Sequence, residues 1–346
     1  MRDPAARLSA FRTGLEGRFN LAKGLLRTEL RTNGLRFDRE LVSRGFLSNR
    51  RRLYPFDRYG PDAFLSDVEI EGPLRMLNPR SWRQLLTDKL AAHAILPVQA
   101  PNTPLPTLLG LSVDGAHVRL PGAQEPQGEA IIAKPLRGSG GRGVLRLAPG
   151  EALPRSGTYL LEAALEPHPY GQAIFPGALG TVRILTGRAA GEADVLFLGA
   201  AHRFGTRISA PTDNFKSGGV VAGIDPETGR LGGAVLGLGV RQRTVSATHP
   251  DTGARIEGVA VPDWQAVRRM ALRCMRAFPD LSYAGWDIAV TQDGPVLIEV
   301  NVVLPNPNLI QMHTPWLLDP EVRRFLRSHG VIGAGRARRA EAAARL

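Results

Sequence analysis

The stretch Tyr283–Asn301, YAGWDIAVTQDGPVLIEVN, constrains the fold most tightly. Two apolar, β-prone runs, Trp286–Thr291 and Val296–Val300, each carry one acid, Asp287 and Glu299. Gln292-Asp293-Gly294 between them is turn chemistry, with a glycine able to take positive φ, so the segment reads as a β-hairpin. Opposed residues in a hairpin have a constant index sum, so loop length decides which side chains meet. A two-residue loop at Asp293-Gly294 would pair Asp287 with Val300 and send Glu299 to the other face. A three-residue loop, Gln292–Gly294, pairs Asp287 with Glu299, and period-2 alternation adds Asn301 to that face. The three-residue loop is the one expected, with Gly at its left-handed position. Opposed carboxylates repel. A cation between them reverses the sign, and Mg²⁺ suits the site, because it binds one or two carboxylates together with phosphates. The alternative is a surface hairpin with two solvated acids. The Ile, Val, Leu and Ala neighbours favour burial, and buried acids need partners.

The 346 residues suffice for two or three subdomains around a sizeable core. The net charge of +12 is uneven. Residues 1–60 carry 14 basic and 6 acidic side chains, and residues 322–346 carry 7 and 1, which leaves the central body nearly neutral. Basic ends of this kind serve as solvated helix faces or meet an anionic membrane or a partner protein; nucleic acid is the weaker expectation. One cysteine, Cys274, excludes an intramolecular disulfide. No run of about 18 apolar residues is present, and the N-terminus lacks a signal-peptide pattern, so a cytoplasmic location is expected. Only four lysines occur, Lys23, Lys89, Lys134 and Lys216, among 44 basic residues. Where arginine is the default cation, a retained lysine marks a place for a compact point charge.

Along the chain, residues 1–58 read as basic amphipathic helices. Leu74–Ala94 continues a helical pattern that contains Lys89, and Pro97–Pro106 reads as a proline-rich connection. Glu129–Pro135 is a short strand ending in Lys134. Arg137–Gly143, RGSGGRG, then turns into a second strand from Val144. Such a glycine-rich turn is a flap whose backbone N–H groups can face phosphate oxygens. No helix follows it, which excludes a Rossmann fingerprint, and the Gly-Lys-Ser/Thr ending of a P-loop is absent. Thr158–Glu166 is a strand entering a loop with Glu162, Glu166 and His168. Gly180–Thr186 is a strand whose one charge, Arg183, wants an anion, either a structural carboxylate or a phosphate. Val195–His202 is a strand, and Asp213–Gly219 is a polar glycine-rich loop. Pro262–Phe278 is an amphipathic helix with Cys274 on its core face. His168, His202, His249 and His313 lack metal-type spacing and read as loop or core residues. The tail from Gly330 reads as flexible.

In order and spacing, the set Lys89, Lys134 with its glycine flap, the Glu162–His168 hinge, Arg183, Asn214–Gly219, Asp287 and Glu299-x-Asn301 resembles the ATP-grasp superfamily. Trp286-Asp287, His168-Pro169 and Asp213-Asn214-Phe215-Lys216-Ser217-Gly218-Gly219 look closest to its sugar-transfer associated branch, with the glutamate-ligase-like branch a near relative. The resemblance spans about residues 75–315. It implies an α+β fold, two subdomains gripping ATP: a small one over 74–165 with the flap and a large one over 166–329 with the metal site. A basic helical arm over 1–73 and a basic flexible tail over 330–346 complete the expected organisation.

By the same resemblance, Lys89 and Lys134 would meet phosphates or the adenine edge, and Gly138, Ser139, Gly140, Gly141 and Gly143 would close over the phosphates. The backbone from Glu162 to Leu165 would bond adenine, and Glu166 or His168 would meet the ribose. Arg183 would stabilise the transferred phosphoryl group, Lys216 and Asn214 would face the acceptor, and Asp287, Glu299 and Asn301 would ligate Mg²⁺. The implied chemistry is ATP-dependent activation of a carboxylate as an acyl phosphate, then displacement of phosphate by an amine, thiol or hydroxyl. Phosphoryl transfer to another acceptor and a nucleotide-binding scaffold with basic ends are the competing readings.

Overall fold

The computed structural model describes residues 21–32, 37–136, 140–237 and 242–343. The chain divides into two compact units, one of residues 78–314 and one of residues 1–77 with 315–346.

The unit 78–314 is built on two antiparallel sheets. The smaller contains β1 (Leu108–Val113), β2 (Ala116–Val118), β3 (Ile131–Pro135), β4 (Leu145–Leu147) and β5 (Thr158–Ala163), in the order β2-β1-β5-β3-β4. The larger contains β6 (Thr181–Gly187), β7 (Leu196–Phe204), β8 (Val220–Ile224), β9 (Leu231–Leu236), β10 (Val245–Ser246), β11 (Tyr283–Thr291) and β12 (Gly294–Asn301), in the order β10-β9-β8-β7-β6-β11-β12. Helix α1 (Lys89–Gln99) starts at an Asp88 cap that accepts the Ala91 N–H at 2.9 Å. It runs through Pro97, where a connection was expected. Without an N–H, Pro97 forfeits one bond of that turn, and the helix ends two residues later. Helix α2 (Pro169–Ile174) is short and capped by His168, and α3 (Trp264–Ala277) is the long amphipathic one.

On α3, Val267, Met270, Ala271 and Cys274 are buried in one core with Ile184, Trp286, Ile288 and Leu297. That packing is the period-3.6 face read from the sequence. Burial pushes the Cys274 thiol pKa up, which suits a packing role over a nucleophilic one. Two histidines, His202 and His249, are likewise buried and bonded within the fold. His202 stacks on Phe204 at 4.0 Å, and burial lowers its pKa to about 3. His249 Nε2 bonds the Gly205 carbonyl at 2.7 Å.

The β11–β12 hairpin departs from the expected turn. Thr291 pairs with Gly294, so the loop is the two residues Gln292-Asp293 and not three. The Thr291 hydroxyl donates to the Gly294 carbonyl at 2.8 Å and accepts the Asp293 N–H at 3.2 Å, which fixes the tight turn. Uncorrected, that turn would pair Asp287 with Ile298. The register shifts between Asp287 and Ile288, leaving Ile298 as a bulge residue, and Asp287 lies opposite Glu299. The pair of acids is as expected; its cause is a bulge and not the loop.

In the other unit, residues 21–32 are helical. Helix α4 covers Pro320–Ser328, and the tail from Gly330, expected to be flexible, contains α5 (Ala334–Ala343). Arg336 of α5 donates to the Asp62 carbonyl at 2.6 Å and to the Phe64 carbonyl, and pairs with Glu69 at 3.2 Å. These contacts lie some 270 positions away in sequence, so local composition gave no sign of them. Among the described residues no helix is long and apolar enough to cross a membrane.

Candidate active site

Within the unit 78–314, both sheets, the start of α1 and the flap border a cavity of about 250 Å³. Its charged floor comes from one face of the larger sheet. The register places Glu299, Asp287, Arg183 and Ala201 side by side across β12, β11, β6 and β7. One step along, Thr181 pairs with Arg203. Alternation then gives all these side chains a common face.

Asp287 is the hub. Arg183 grips it bidentately, Nε to Oδ1 at 2.5 Å and Nη2 to Oδ2 at 2.8 Å. Arg203 reaches Oδ2 through Nη2 at 3.1 Å, and Asn301 Nδ2 donates to Oδ2 at 3.3 Å. Burial alone would raise the Asp287 pKa, but the two guanidinium groups outweigh it and hold the carboxyl below its usual range. Glu299 goes the other way. Its side chain is exposed toward the cavity, where desolvation by the surrounding protein and then the Asp287 charge push its carboxyl above the usual range. Arg183, Lys134 and Lys89 offset only part of that rise. The two opposed acids are therefore unequal: one is neutralised by arginines, and the other has no direct counter-ion among the described residues.

Arg183 spends all three nitrogens on protein, since Nη1 donates to the Pro305 carbonyl at 2.7 Å. Arg203 does not. Its Nε and Nη2 bond Thr181 Oγ1 at 3.2 and 2.5 Å, and Nε lies 3.4 Å from Asp213 Oδ2. Its Nη1 has no hydrogen bond among the described residues. Burial works against its charge, but Asp213, Asp287 and Glu299 raise the pKa above the usual arginine value. Asp213 is itself buried and pushed up, with Thr181 donating to it through N–H and Oγ1 at 2.9 and 2.5 Å.

Across the cavity, Lys134 of β3 pairs with Glu162 of β5 at 2.5 Å, both side chains mostly buried. The register opposes Ile132 to Glu162, so this ion pair is a diagonal one across neighbouring strands. Lys89 sits in the first turn of α1 and also borders the cavity. Ile132, Leu160, Leu165 and Leu297 give it an apolar slot. The β3–β4 connection bends over it with Gly140, Gly141 and Gly143 all near φ +71°. Asn214 Nδ2 donates to the Gly140 carbonyl, and a Cβ on Gly141 would lie 3.0 Å from Thr212. Glycine is required there both for the backbone angle and for the close approach.

Of the residues singled out in the sequence, Lys89, Lys134, Gly140, Gly141, Glu162, Leu165, Arg183, Asn214, Asp287, Glu299 and Asn301 border the cavity. Gly143, Glu166, His168 and Lys216 do not. His168 instead caps α2, its Nδ1 accepting the Tyr170 N–H at 3.3 Å. Gly138 and Ser139 lie outside the described residues. Of the lining residues not singled out, Arg203, Thr181 and Asp213 carry the polar network of the floor. Arg203 was one position past the expected strand end at His202, yet it alternates with Ala201 and so shares the face of Arg183. The arrangement presents cations around an apolar slot beneath a glycine-rich turn, with Glu299 left open to the cavity. It can hold a flat apolar group joined to a polyanion.

Residues 153–324 match the family described as Sugar-transfer associated ATP-grasp. This segment is ATP-grasp, of the sugar-transfer associated branch. The ATP-grasp match takes in β5 through β12 and begins after the flap, so Lys89, Lys134 and the glycines join the site by geometry alone. No curated protein matches the chain. Among solved structures, biotin carboxylase from Campylobacter jejuni is 12% identical over 71% of this chain and 47% of its own, at a TM-score of 0.43. D-alanine–D-alanine ligase from Bacillus anthracis is 12% identical over 64% and 58%, at 0.35. N5-carboxyaminoimidazole ribonucleotide synthetase from Thermotoga maritima is 11% identical over 63% and 42%, at 0.35. The chain spans less than two thirds of the length of each, and likenesses this distant carry nothing about substrate.

Proposed function

We propose that the chain is a Mg-ATP-dependent ligase that activates a carboxylate for attack by an amine or another nucleophile. The observation that carries this is the asymmetric floor: arginine-neutralised Asp287 beside cavity-facing Glu299, under a glycine flap and two lysines. The apolar slot takes the base, with the Glu162–Leu165 segment at its edge. Lys89 and Lys134 neutralise the phosphates, and the flap excludes water from them.

The donor set fits Mg²⁺. Its open oxygens are those of Glu299 and the Oδ1 that Asn301 leaves free when its Nδ2 turns to Asp287, while Asp287, already bonded by Arg183, Arg203 and Asn301, would reach the ion only by giving up one of those contacts. Among the described residues no three His, Cys, Asp or Glu side chains gather as a metal site, so the ion would need further ligands from phosphate and water. When bound, the ion would supply charge neutralisation at the β- and γ-phosphates.

In the reaction, a substrate carboxylate oxygen attacks the γ-phosphorus, the bond to the β-phosphate oxygen breaks, and ADP leaves. The nucleophile then attacks the acyl carbon and releases phosphate. Arg203, through its open Nη1, stabilises charge on the transferred group, while Arg183 holds Asp287 in place. Asn214 links the flap to the acceptor side. The family's name points to acceptors in surface-polysaccharide or peptide-like metabolism.

Hydroxylamine trapping tests the reading. With ATP, Mg²⁺ and a panel of carboxylates, an acyl phosphate yields a hydroxamate together with ADP. A stable phosphorylated product without hydroxamate would replace the ligase with a kinase. Failure to bind a non-hydrolysable ATP analogue would remove both.

A further inference from the structure

The helix over 21–32 has three distinct edges. Its inner edge is fixed by Glu29, which is 3% exposed and accepts the Ser48 N–H at 2.9 Å, and by Leu21, which lies where a Cβ on Gly72 would approach at 3.1 Å. Leu25 and Thr28 are half-buried on the same side. A second edge, Ala22, Leu26 and Leu30, repeats every four residues and is open, with Leu26 53% and Leu30 42% exposed. A third edge, Lys23, Arg27 and Arg31, runs beside it at the same spacing. These three cations are exposed and make no ion pair among the described residues. The same unit carries a second basic surface. Arg327 of α4 and Arg338 of α5 face one groove and are likewise without partners among the described residues.

We propose that the 21–32 helix docks this chain on an anionic lipid surface. An apolar edge next to a basic edge is the pattern of a helix that lies in the bilayer interface, with leucines in the acyl boundary and cations on the headgroup phosphates. The leucines decide between partners. A nucleic acid would use the cations and leave Leu26 and Leu30 in water, whereas a bilayer takes up both edges. The inference is independent of the ligase reading, because every residue it uses lies outside the unit 78–314.

The test is co-sedimentation of the full chain with vesicles of phosphatidylcholine alone or with added phosphatidylglycerol. Binding is expected only to the mixed vesicles and is released by salt. The triple variant Lys23→Gln/Arg27→Gln/Arg31→Gln should weaken it roughly a hundredfold. Leu26→Ser/Leu30→Ser should weaken it by at least about tenfold. Both variants should retain the wild-type circular dichroism spectrum and binding of a non-hydrolysable ATP analogue. No binding to mixed vesicles would overturn the proposal. So would leucine variants that bind as wild type does, which would mean a purely electrostatic surface, or wild-type chain that forms dimers through Leu26 and Leu30 and ignores the vesicles.

Discussion

Glu299 is the residue on which the site's energetics turn. Its carboxyl is raised, so its charged form is less favoured in the folded chain than in the unfolded one. Its contribution to stability is therefore fully favourable only below the unfolded value and is lost as pH rises through the folded one. Charging Glu299 in the metal-free chain therefore carries a cost, and Glu299→Gln should stabilise it. The gain should stay below about 1 kcal/mol, because the side chain opens onto the cleft. A small rise in melting temperature together with loss of Mn²⁺ binding, followed by paramagnetic resonance in the presence of an ATP analogue, is the expected pair of results. For the same reason, divalent-ion affinity should fall on acidification at a pH above that of an ordinary glutamate. Asp287 has the opposite sign. Its depressed value gives stability that is present above the unfolded carboxylate range and lost as pH falls through the folded one. The arginines divide likewise. Arg203→Lys should lower kcat about a hundredfold with little change in the KM for ATP. Arg183→Met, which takes the bidentate partner from buried Asp287 and leaves it only Arg203 and Asn301, should instead cost about 3 kcal/mol in denaturant titrations.

At the scale of elements, the flap and the hairpin show what a sequence can and cannot declare. Single charges inside apolar β runs stand out, and Lys134, Arg183, Asp287 and Glu299 were all legible for that reason. Their strands were legible too, because alternation and turn residues are local signals. The bulge at Ile298 was not, since a register shift depends on how the turn and the neighbouring strand compete. Arg203 escaped because the apolar run fades at His202, although hydrogen bonding to β6 and β8 carries β7 on to Phe204. The flap yields a prediction of its own. Gly141 combines φ +71° with a 3.0 Å approach to Thr212, so Gly141→Val opposes the closed position twice. Affinity for an ATP analogue, measured by calorimetry, should fall while overall stability changes little, because the flap contributes no core. Unchanged affinity would mean that the flap does not close on the nucleotide.

For the whole molecule, the division of the chain matters more than its length. The described residues up to Leu77 and from Pro315 onward form one compact unit, so segments far apart in the sequence depend on each other. Arg336 is the clearest tie. Its side chain is 14% exposed and engages the Asp62 and Phe64 carbonyls and the Glu69 carboxylate together. Glu69 also closes the capping box of the helix Asp67–Glu71 by accepting the Ser66 N–H at 2.7 Å. Removing the guanidinium would leave two carbonyls and a carboxylate under-satisfied, at a cost of about 2–3 kcal/mol. Arg336→Ala should therefore speed hydrogen exchange across residues 62–71, where α5 contributes the partner, while ATP-analogue binding by the unit 78–314 persists. Exchange that quickens only within α5 would mean that the tail rests on this unit without supporting it.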